Sequence, residues 1–415
     1  MIVLYRALWK NKNIRYYLLA GSVSRLGDVL SGMAFLFLAY NITKSSMLTT
    51  GMAVAEALPY LLFGLIGGVI ADWVPKKKWL ISLDLLRIPL ILSVVVLYYL
   101  DMLTYAYLVT ISFLIQSIGC FFNPAHRSIL PSITTIEERT SANSMNDTLT
   151  RGVIVLSPVL SIGLLNTYGV IHFFTVDAIT YLVSVLCLRR VLMKDQKHVS
   201  DKSTAALFFS IKETALWIKT QTTIRRLFTF TFVTVFLNTW VWEVGLLLAL
   251  AEKSAQSEEL YSLLQSVFGA MVILTNIILP YFVKKMTLIH YLIGTCTWGM
   301  GILYYGLLYE VTHFFIGCAI VGVGLPIAGL ARVYLIQTLV PEDKLGRAFS
   351  FNAVLLYLSN TLSLALYGTL VSFIPIKWLM MASGLAIFIV SIGGLLTRTV
   401  NASKFRGRFT INFPE

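Results

Sequence analysis

Gly67-Gly68-Val69-Ile70-Ala71-Asp72-Trp73-Val74-Pro75-Lys76-Lys77-Lys78 joins two long apolar stretches, and its order of small, acidic and basic residues decides how the chain is built. Gly67 and Gly68 let two helices approach closely. Asp72, at the end of an apolar run, needs a partner, either the N-terminus of another helix or a basic side chain such as Arg127. Lys76, Lys77 and Lys78 suit the anionic inner leaflet of a membrane. A turn held inside by its lysines explains those three residues but not Asp72.

The rest of the chain has the same solvent preference. Of 415 residues, 57% are hydrophobic and 13% charged, about half the charge fraction of a soluble domain. Water is the wrong solvent for such a surface. A net charge of +13 would suit nucleic acid, but the basic residues lie in short segments between apolar runs, so no nucleic-acid partner is expected. A spanning helix needs about 20 apolar residues. Runs of that kind cover 16–41, 46–71, 79–100, 104–122, 144–165, 170–188, 227–250, 260–282, 287–308, 312–332, 348–371 and 377–397. The fold class is therefore all-α, a polytopic membrane protein with twelve transmembrane helices.

Lys and Arg fix the orientation. Loops on one side hold Lys44, Lys253 and Lys377; those on the other hold Lys76, Lys77, Lys78, Arg127, Arg139, Lys284, Lys285, Lys344 and Arg347. The richer side is read as cytoplasmic, with both termini there. The first run follows Arg6, Lys10, Lys12 and Arg15 but carries Arg25 and Asp28, which makes it a retained helix rather than a cleaved signal. Cys120, Cys187, Cys296 and Cys318 all sit in apolar stretches without metal-ligand spacing, so no metal and no cofactor are expected.

The spans form two groups of six. Residues 1–188 make an N-terminal bundle, 189–226 a linker, 227–397 a C-terminal bundle and 398–415 a cytoplasmic tail. The linker carries Arg189, Arg190, Lys194, Lys197, Lys202, Lys212, Lys219, Arg225 and Arg226. Within it Phe208, Ile211, Ala215 and Ile218 recur at helical spacing, which fits an amphipathic helix on the inner membrane surface; a solvated linker fits equally well. One offset of 205 residues relates Arg127, Glu137 and Glu138 to Arg332, Glu342 and Asp343. Parallel repeats of this kind build carriers that work by alternating access, with the substrate site at the repeat interface near the midplane.

Charges inside spans cost about 2.5–3.5 kcal/mol at a helix centre, so each needs a reason. Asp28, Glu56 and Glu243 lie well away from the ends of their spans and are the proton-carrier candidates. Some acids have basic neighbours on their own helix face: Arg25 for Asp28, Arg151 for Asp147 and Arg87 for Asp84, the last pair being read as structural. Asp177 is open to either reading. Asn238, Trp240 and Trp242 flank Glu243 and, with Gln116, Asn360, Arg25 and Arg151, are candidates for the wall of a substrate cavity. Trp and Asn at these places also serve helix packing.

The Gly68–Asp72–Lys76 loop resembles the signature loop of the major facilitator superfamily, with Trp73 and Pro75 where a basic residue and a glycine are common. The resemblance implies two pseudo-repeated six-helix bundles and an inner gate that latches in the outward-open state, to which Gly68, Asp72, Lys76, Lys77, Lys78, Arg127, Glu137, Arg332 and Glu342 are assigned. Arg151-Gly152 with Ser157-Pro158 resembles the fifth-helix motif of superfamily antiporters. Ser24-Arg25-Leu26-Gly27-Asp28, Gln116-Ser117-Ile118-Gly119, Asn123-Pro124-Ala125 and Ser141-Ala142-Asn143-Ser144 resemble the bacterial macrolide-efflux and siderophore-exporter group. That likeness implies a monomeric exporter in the bacterial cytoplasmic membrane, moving a bulky amphipathic small molecule against proton entry, with protons and membrane lipids as its other partners.

Other classes have less to stand on. A primary pump needs a phosphate-cradling loop ending in Lys and Ser/Thr, which the sequence lacks. Gly322-Val323-Gly324 with Gly329 lies in a span with no strand before it, so helix packing is the expected use. An importer or facilitator of another organic solute is the alternative reading. A membrane-embedded enzyme would need convergent histidines, and His126, His172, His198, His290 and His313 are scattered. A channel fits two nonidentical halves poorly.

Overall fold

The computed structural model describes residues 6, 8–193 and 204–406, which are helical almost throughout and contain no strand. Helices α1 (Lys12–Thr43), α2 (Ser46–Trp73), α3 (Lys76–Tyr99), α4 (Tyr105–Ile133), α5 (Arg139–Tyr168) and α6 (His172–Arg190) precede a linker helix, α7 (Thr204–Thr220). Helix α8 (Thr222–Trp240) then runs through a π-helical turn (Val241–Gly245) into α9 (Leu246–Lys253). Helices α10 (Ser257–Phe282), α11 (Leu288–Leu307), α12 (Val311–Leu339), α13 (Leu345–Leu370) and α14 (Ile376–Arg406) complete the order, with a 3-10 turn (Glu342–Lys344) before α13.

Every expected span falls on helix, and ten helical segments are long and apolar enough to cross a bilayer. The two outside that set are α5, with 30 residues and a polar first half, and α11, with 20 residues, free of Asp, Glu, Lys and Arg but rich in glycine and tyrosine. Local chemistry sets the starts. Asn11, Ser45 and Thr104 cap α1, α2 and α4 through side-chain oxygens that accept from free N–H groups of the first turn. Before α5, Thr135 N donates to Glu138 Oε2 and Glu138 N to Thr135 Oγ1, the reciprocal pair of a capping box. Pro75 sits at the N-cap of α3 with φ −62°, where its missing N–H costs nothing.

Boundaries differ most at α4, which was expected to end at 122 and continues through Pro124 and Pro131 to Ile133. Prolines inside spanning helices are tolerated because neighbouring groups satisfy the freed carbonyls. At the far end, helix α14 extends into the segment read as a tail, as far as Arg406; 407–415 lie outside the described residues, as do Lys194, Lys197, His198 and Lys202 of the linker.

The chain forms two compact units. One comprises residues 1–225, 280–285 and 334–358; the other 226–279, 286–333 and 359–415. In the first, α1 packs on α6, α2 on α4 and α3 on α6. Small residues permit it: a side chain at Gly27 would collide with Asp177 and Thr180, and one at Gly67 with the Cys120 carbonyl. Phe35, Phe173, Phe174 and Tyr181 fill its core. In the second, α11 packs on α14 through Gly299, Gly306 and Gly384, and on α12 through Gly294 and Gly324. The Gly322–Gly324 stretch is thus a packing feature: Cβ atoms there would press on Met271 and on the Trp298 backbone. Leu61, Leu62, Leu182, Leu186 and Ile389 are exposed, as a surface solvated by lipid requires.

Gly67→Ala places a methyl group against backbone, whereas Gly368, in α13, has open space around it. Gly67→Ala should lower the melting temperature of the purified protein in detergent by several degrees, and Gly368→Ala should leave it unchanged or raise it. A thermal-shift assay on the two variants compares them directly.

Candidate functional site

Asp72 is 2% exposed at the end of α2 and accepts three hydrogen bonds from the start of α13. Its Oδ1 accepts from Gly346 N (2.7 Å), and its Oδ2 from Arg347 N (3.0 Å) and Arg347 Nε (3.1 Å). The first-turn N–H groups of a helix have no intrahelical acceptor and carry a partial positive charge, so a carboxylate suits them. Gly68 and Gly346 make the approach possible: a Cβ on Gly68 would lie 2.7 Å from the Gly346 carbonyl. Of the two partners expected for Asp72, the helix N-terminus is present, and the basic side chain is Arg347 rather than Arg127.

Arg347 has a second use. Its Nη2 donates to the Asp343 carbonyl (2.7 Å) and its Nη1 to Glu213 Oε2 (3.3 Å), while the other Glu213 oxygen accepts from Lys344. The linker helix α7 is thereby tied to the same latch. Hydrogen bonding to Lys344 holds the Glu213 carboxyl below the usual glutamate range. A group of this kind contributes its stability above its ordinary pKa and loses it only as pH falls through the depressed value. The Glu213 tie therefore persists through the physiological range.

A second set of contacts joins the start of α5 to the end of α12. Asn143 Nδ2 donates to Gln337 Oε1 (2.6 Å), Arg139 Nη1 to the Gln337 carbonyl (3.0 Å), and Thr140 Oγ1 to the Lys284 carbonyl (2.7 Å). Glu137 pairs with Lys285 at 3.4 Å in solvent. The offset of 205 residues carries Leu345, Gly346 and Arg347 onto Thr140, Ser141 and Ala142. Where the first turn of α13 meets a carboxylate, that of α5 meets a backbone carbonyl through a hydroxyl.

The remaining gate candidates divide. Lys76 lies within electrostatic reach of Asp72 and Glu342. Lys77 Nζ donates to the Arg189 and Val191 carbonyls (2.9 and 2.8 Å) at the end of α6, and Lys78 is exposed. The Arg127 side chain is exposed and its carbonyl accepts from Gln337 Nε2 (3.4 Å); Arg332 is half-buried near Tyr291. Sequence reasoning missed Glu213, Gln337, Asn143 as a contact residue, and Arg347 as the partner of Asp72. Glu213 left a signal, the one acid on the helical stretch Thr204–Thr220, beside Lys212 and Lys219.

Inside the first unit, three carboxyls gather around one guanidinium. Tyr181 donates to Asp28 Oδ1 (2.8 Å), Ser184 to Asp84 Oδ2 (2.7 Å), and Arg87 Nη1 lies 3.4 Å from Asp84 Oδ1. Asp177 is fully buried against Gly27 and accepts from Thr180. Arg87 stands over the rings of Phe122 and Tyr181, at 5.0 and 5.2 Å from their centroids. Three acids with one fixed cation are neutral only when two protons are bound, and burying an unpaired charge is expensive. Arg25 is exposed one turn before Asp28, Arg151 is paired with Asp147 at 2.8 Å, and Gln116 is half-buried. Glu56 accepts from Ser112 (3.4 Å).

In the second unit Glu243 is exposed on the π-helical turn, a feature that recurs at functional positions. Around it Trp242 packs on Phe268 with ring centroids 4.2 Å apart, and Trp240 is buried on Tyr367. Asn238 Oδ1 accepts from Trp298 Nε1 (2.9 Å), and Asn360 Oδ1 from Thr239 Oγ1 (2.7 Å).

Long apolar helices, an internal repeat and an acid-latched loop define a polytopic membrane transporter. The chain belongs to the major facilitator family described as transmembrane secretion effector, whose profile matches residues 7–406. Macrolide efflux protein A of Streptococcus pyogenes is 24% identical to it over 409 residues, covering 92% of this chain and 96% of that one. YkuC, an uncharacterized MFS-type transporter of Bacillus subtilis strain 168, is 27% identical over 183 residues, covering 44% of this chain and 42% of that one. Among solved structures, an outward-facing bacterial homologue of the iron transporter ferroportin shares the fold, with a TM-score of 0.73 at 16% identity over 92% of this chain and 98% of that one.

Two outcomes are expected of the latch. Asp72→Asn removes the charge from three hydrogen bonds and should slow transport about tenfold or more, from the roughly 1.5–3 kcal/mol carried by one bond to a charged group; substrate binding, measured by equilibrium dialysis, should survive. Spin labels at Val74→Cys and Leu339→Cys should shift toward longer distances in Asp72→Asn than in the unmutated background, because the three bonds to Gly346 and Arg347 lose their charged acceptor.

Proposed function

We propose that the protein is a proton-coupled exporter of a bulky amphipathic small molecule, a siderophore or metallophore or a macrolide-type drug, working as a monomer by alternating access in the bacterial cytoplasmic membrane with both termini inside. The observation that carries this reading is the half-buried carboxyl of Asp28, held by Tyr181 within a group of three acids and one arginine. Such a group binds protons when open to one side and releases them when its surroundings change. Glu243, exposed on its π turn, and Glu56 are the further carriers. Export is favoured by likeness to an efflux protein over 92% of the chain. The gate at Asp72, with Gly68, Lys76, Arg127, Glu137, Arg332 and Glu342 around the same inner loops, closes the cytoplasmic side while latched.

The charge of the cargo follows from which groups remain uncompensated. Arg151 already has Asp147, which leaves Arg25 as the exposed cation and Glu243 as the exposed acid among the candidates. Glu243 beside Trp242 suits a cargo that carries an amine on an apolar body. Asn238, Trp240, Gln116 and Asn360 then act by positioning neighbouring helices as much as by touching cargo. An importer or facilitator of another organic solute is the second reading, and it uses the same Arg25.

A gradient of about one pH unit is worth about 1.4 kcal/mol per proton and should concentrate an amine-bearing macrolide about tenfold across proteoliposomes. Asp28→Asn and Glu243→Gln should abolish that accumulation while leaving exchange down a cargo gradient. Movement indifferent to the proton gradient in the unmutated protein and in both variants would sink the coupling.

A further inference from the structure

The linker helix α7 has two faces with different partners. One is turned to its own unit: Thr214 is fully buried there, and Glu213 holds Lys344 and Arg347, the residue that also holds Asp72. The other is left open. Phe208 and Phe209 are each 68% exposed and Leu216 is 53% exposed, on a stripe that also carries exposed Lys212 and Lys219. Large aromatic residues bare to water would be costly. Only Gln221 separates α7 from α8, a helix that crosses the bilayer, and Arg225 at its start donates back to the Lys219 carbonyl (2.7 Å). The open face therefore lies next to a bilayer-crossing helix, and its aromatic and lysine content is that of an interfacial helix that takes anionic lipid.

We propose that α7 is a lipid-responsive clamp on the inner gate: its Phe208, Phe209 and Leu216 insert among the acyl chains of the cytoplasmic leaflet, Lys212 and Lys219 bind acidic phospholipid headgroups, and the docked helix presents Glu213 to the latch. The proposal goes beyond the export reading and is independent of cargo, but it rests on the cytoplasmic placement of the linker. Docking fixes the position of Glu213 before latching, so less freedom is lost when Lys344 and Arg347 engage it. Anionic lipid then favours the latched state, because it binds the conformer in which α7 is already held.

The test uses the full chain with its native cysteines replaced, reconstituted in phosphatidylcholine with or without about 40 mol% phosphatidylglycerol, where two lysines should strengthen docking about thirtyfold. A bimane on Leu216→Cys should be quenched by doxyl groups on acyl chains, and more so with the anionic lipid. Spin labels at Val74→Cys and Leu339→Cys should shift severalfold toward the latched distance on addition of anionic lipid. Lys212→Gln with Lys219→Gln should remove that shift. Glu213→Gln should remove it while leaving the bimane quenched, which separates docking from latching. An unquenched bimane in every lipid, as for a helix covered by a soluble partner or a second copy, overturns the proposal. So does a latch population equal in the two lipids. Labelling of Lys212→Cys by an impermeant reagent outside intact cells overturns the cytoplasmic placement instead, and the two failures are distinguishable.

Discussion

The carboxylate of Asp72 on the first turn of α13 is the interaction on which the inner side of the protein depends. It joins sequence positions 274 and 275 residues apart through three hydrogen bonds in a place that water scarcely reaches. Breaking such a contact part-way gains nothing, because a buried carboxylate with one donor removed keeps its desolvation cost and loses its compensation. The contact is thus made or unmade as a whole. Glycines at 68 and 346 hold the backbones close enough for the short bonds, and any side chain there would force the two helix ends apart. A carrier that works by alternating access needs elements with two arrangements and few intermediates, and a contact of this all-or-none kind suits that use.

Much of this was legible in the sequence, and the illegible part has a common cause. Span positions follow from hydropathy because each bilayer crossing must satisfy its own backbone, which leaves helix as the only choice. Asp72 was conspicuous because a charge at the end of an apolar run has to be explained locally. Its partner was not, since Arg347 is one of many bases in the loops and only the packing of α13 on α2 selects it over Arg127. Similarly, Asp28 stood out as an intramembrane acid, yet the reading of Arg25 as its neighbour on one helix face yielded to Tyr181 from α6. Pairing within a helix can be read from spacing; pairing between helices depends on which faces meet. The expected span stopped at 122 and the helix runs on to Ile133, because a bundle accommodates Pro124 and Pro131 inside it.

The cluster around Arg87 shows how the same chemistry serves structure and function together. Asp84 alone would satisfy Arg87 as an ordinary buried pair, and Ser184 completes the coordination of that acid. Asp28 and Asp177 exceed what neutrality requires. Under the proposed proton coupling, Asp28 is the member of that excess assigned to carry the proton. Tyr181 fits that view, since its hydroxyl donates to Asp28 while its ring faces the guanidinium, which couples the half-buried acid to the fully buried cation.

The two sets of inner contacts are unequal in a way that bears on which of them responds to conditions. The α5 set places a guanidinium, an amide and a hydroxyl on neutral acceptors, and its one ion pair, at solvent-exposed Glu137, contributes at most about 1 kcal/mol. The α13 set is charged and largely dry, and it extends to Glu213 on the linker helix. Neutral hydrogen bonds change little with protonation or with the field of a lipid surface. Charged ones respond to both. The two ends related by the offset of 205 residues thus differ in chemistry, neutral acceptors on the α5 side and a carboxylate on the α13 side. The asymmetry lies in three positions, Asp72, Glu213 and Arg347, and a change confined to these residues removes the charged contacts while leaving in place the glycines and apolar faces on which the helices pack.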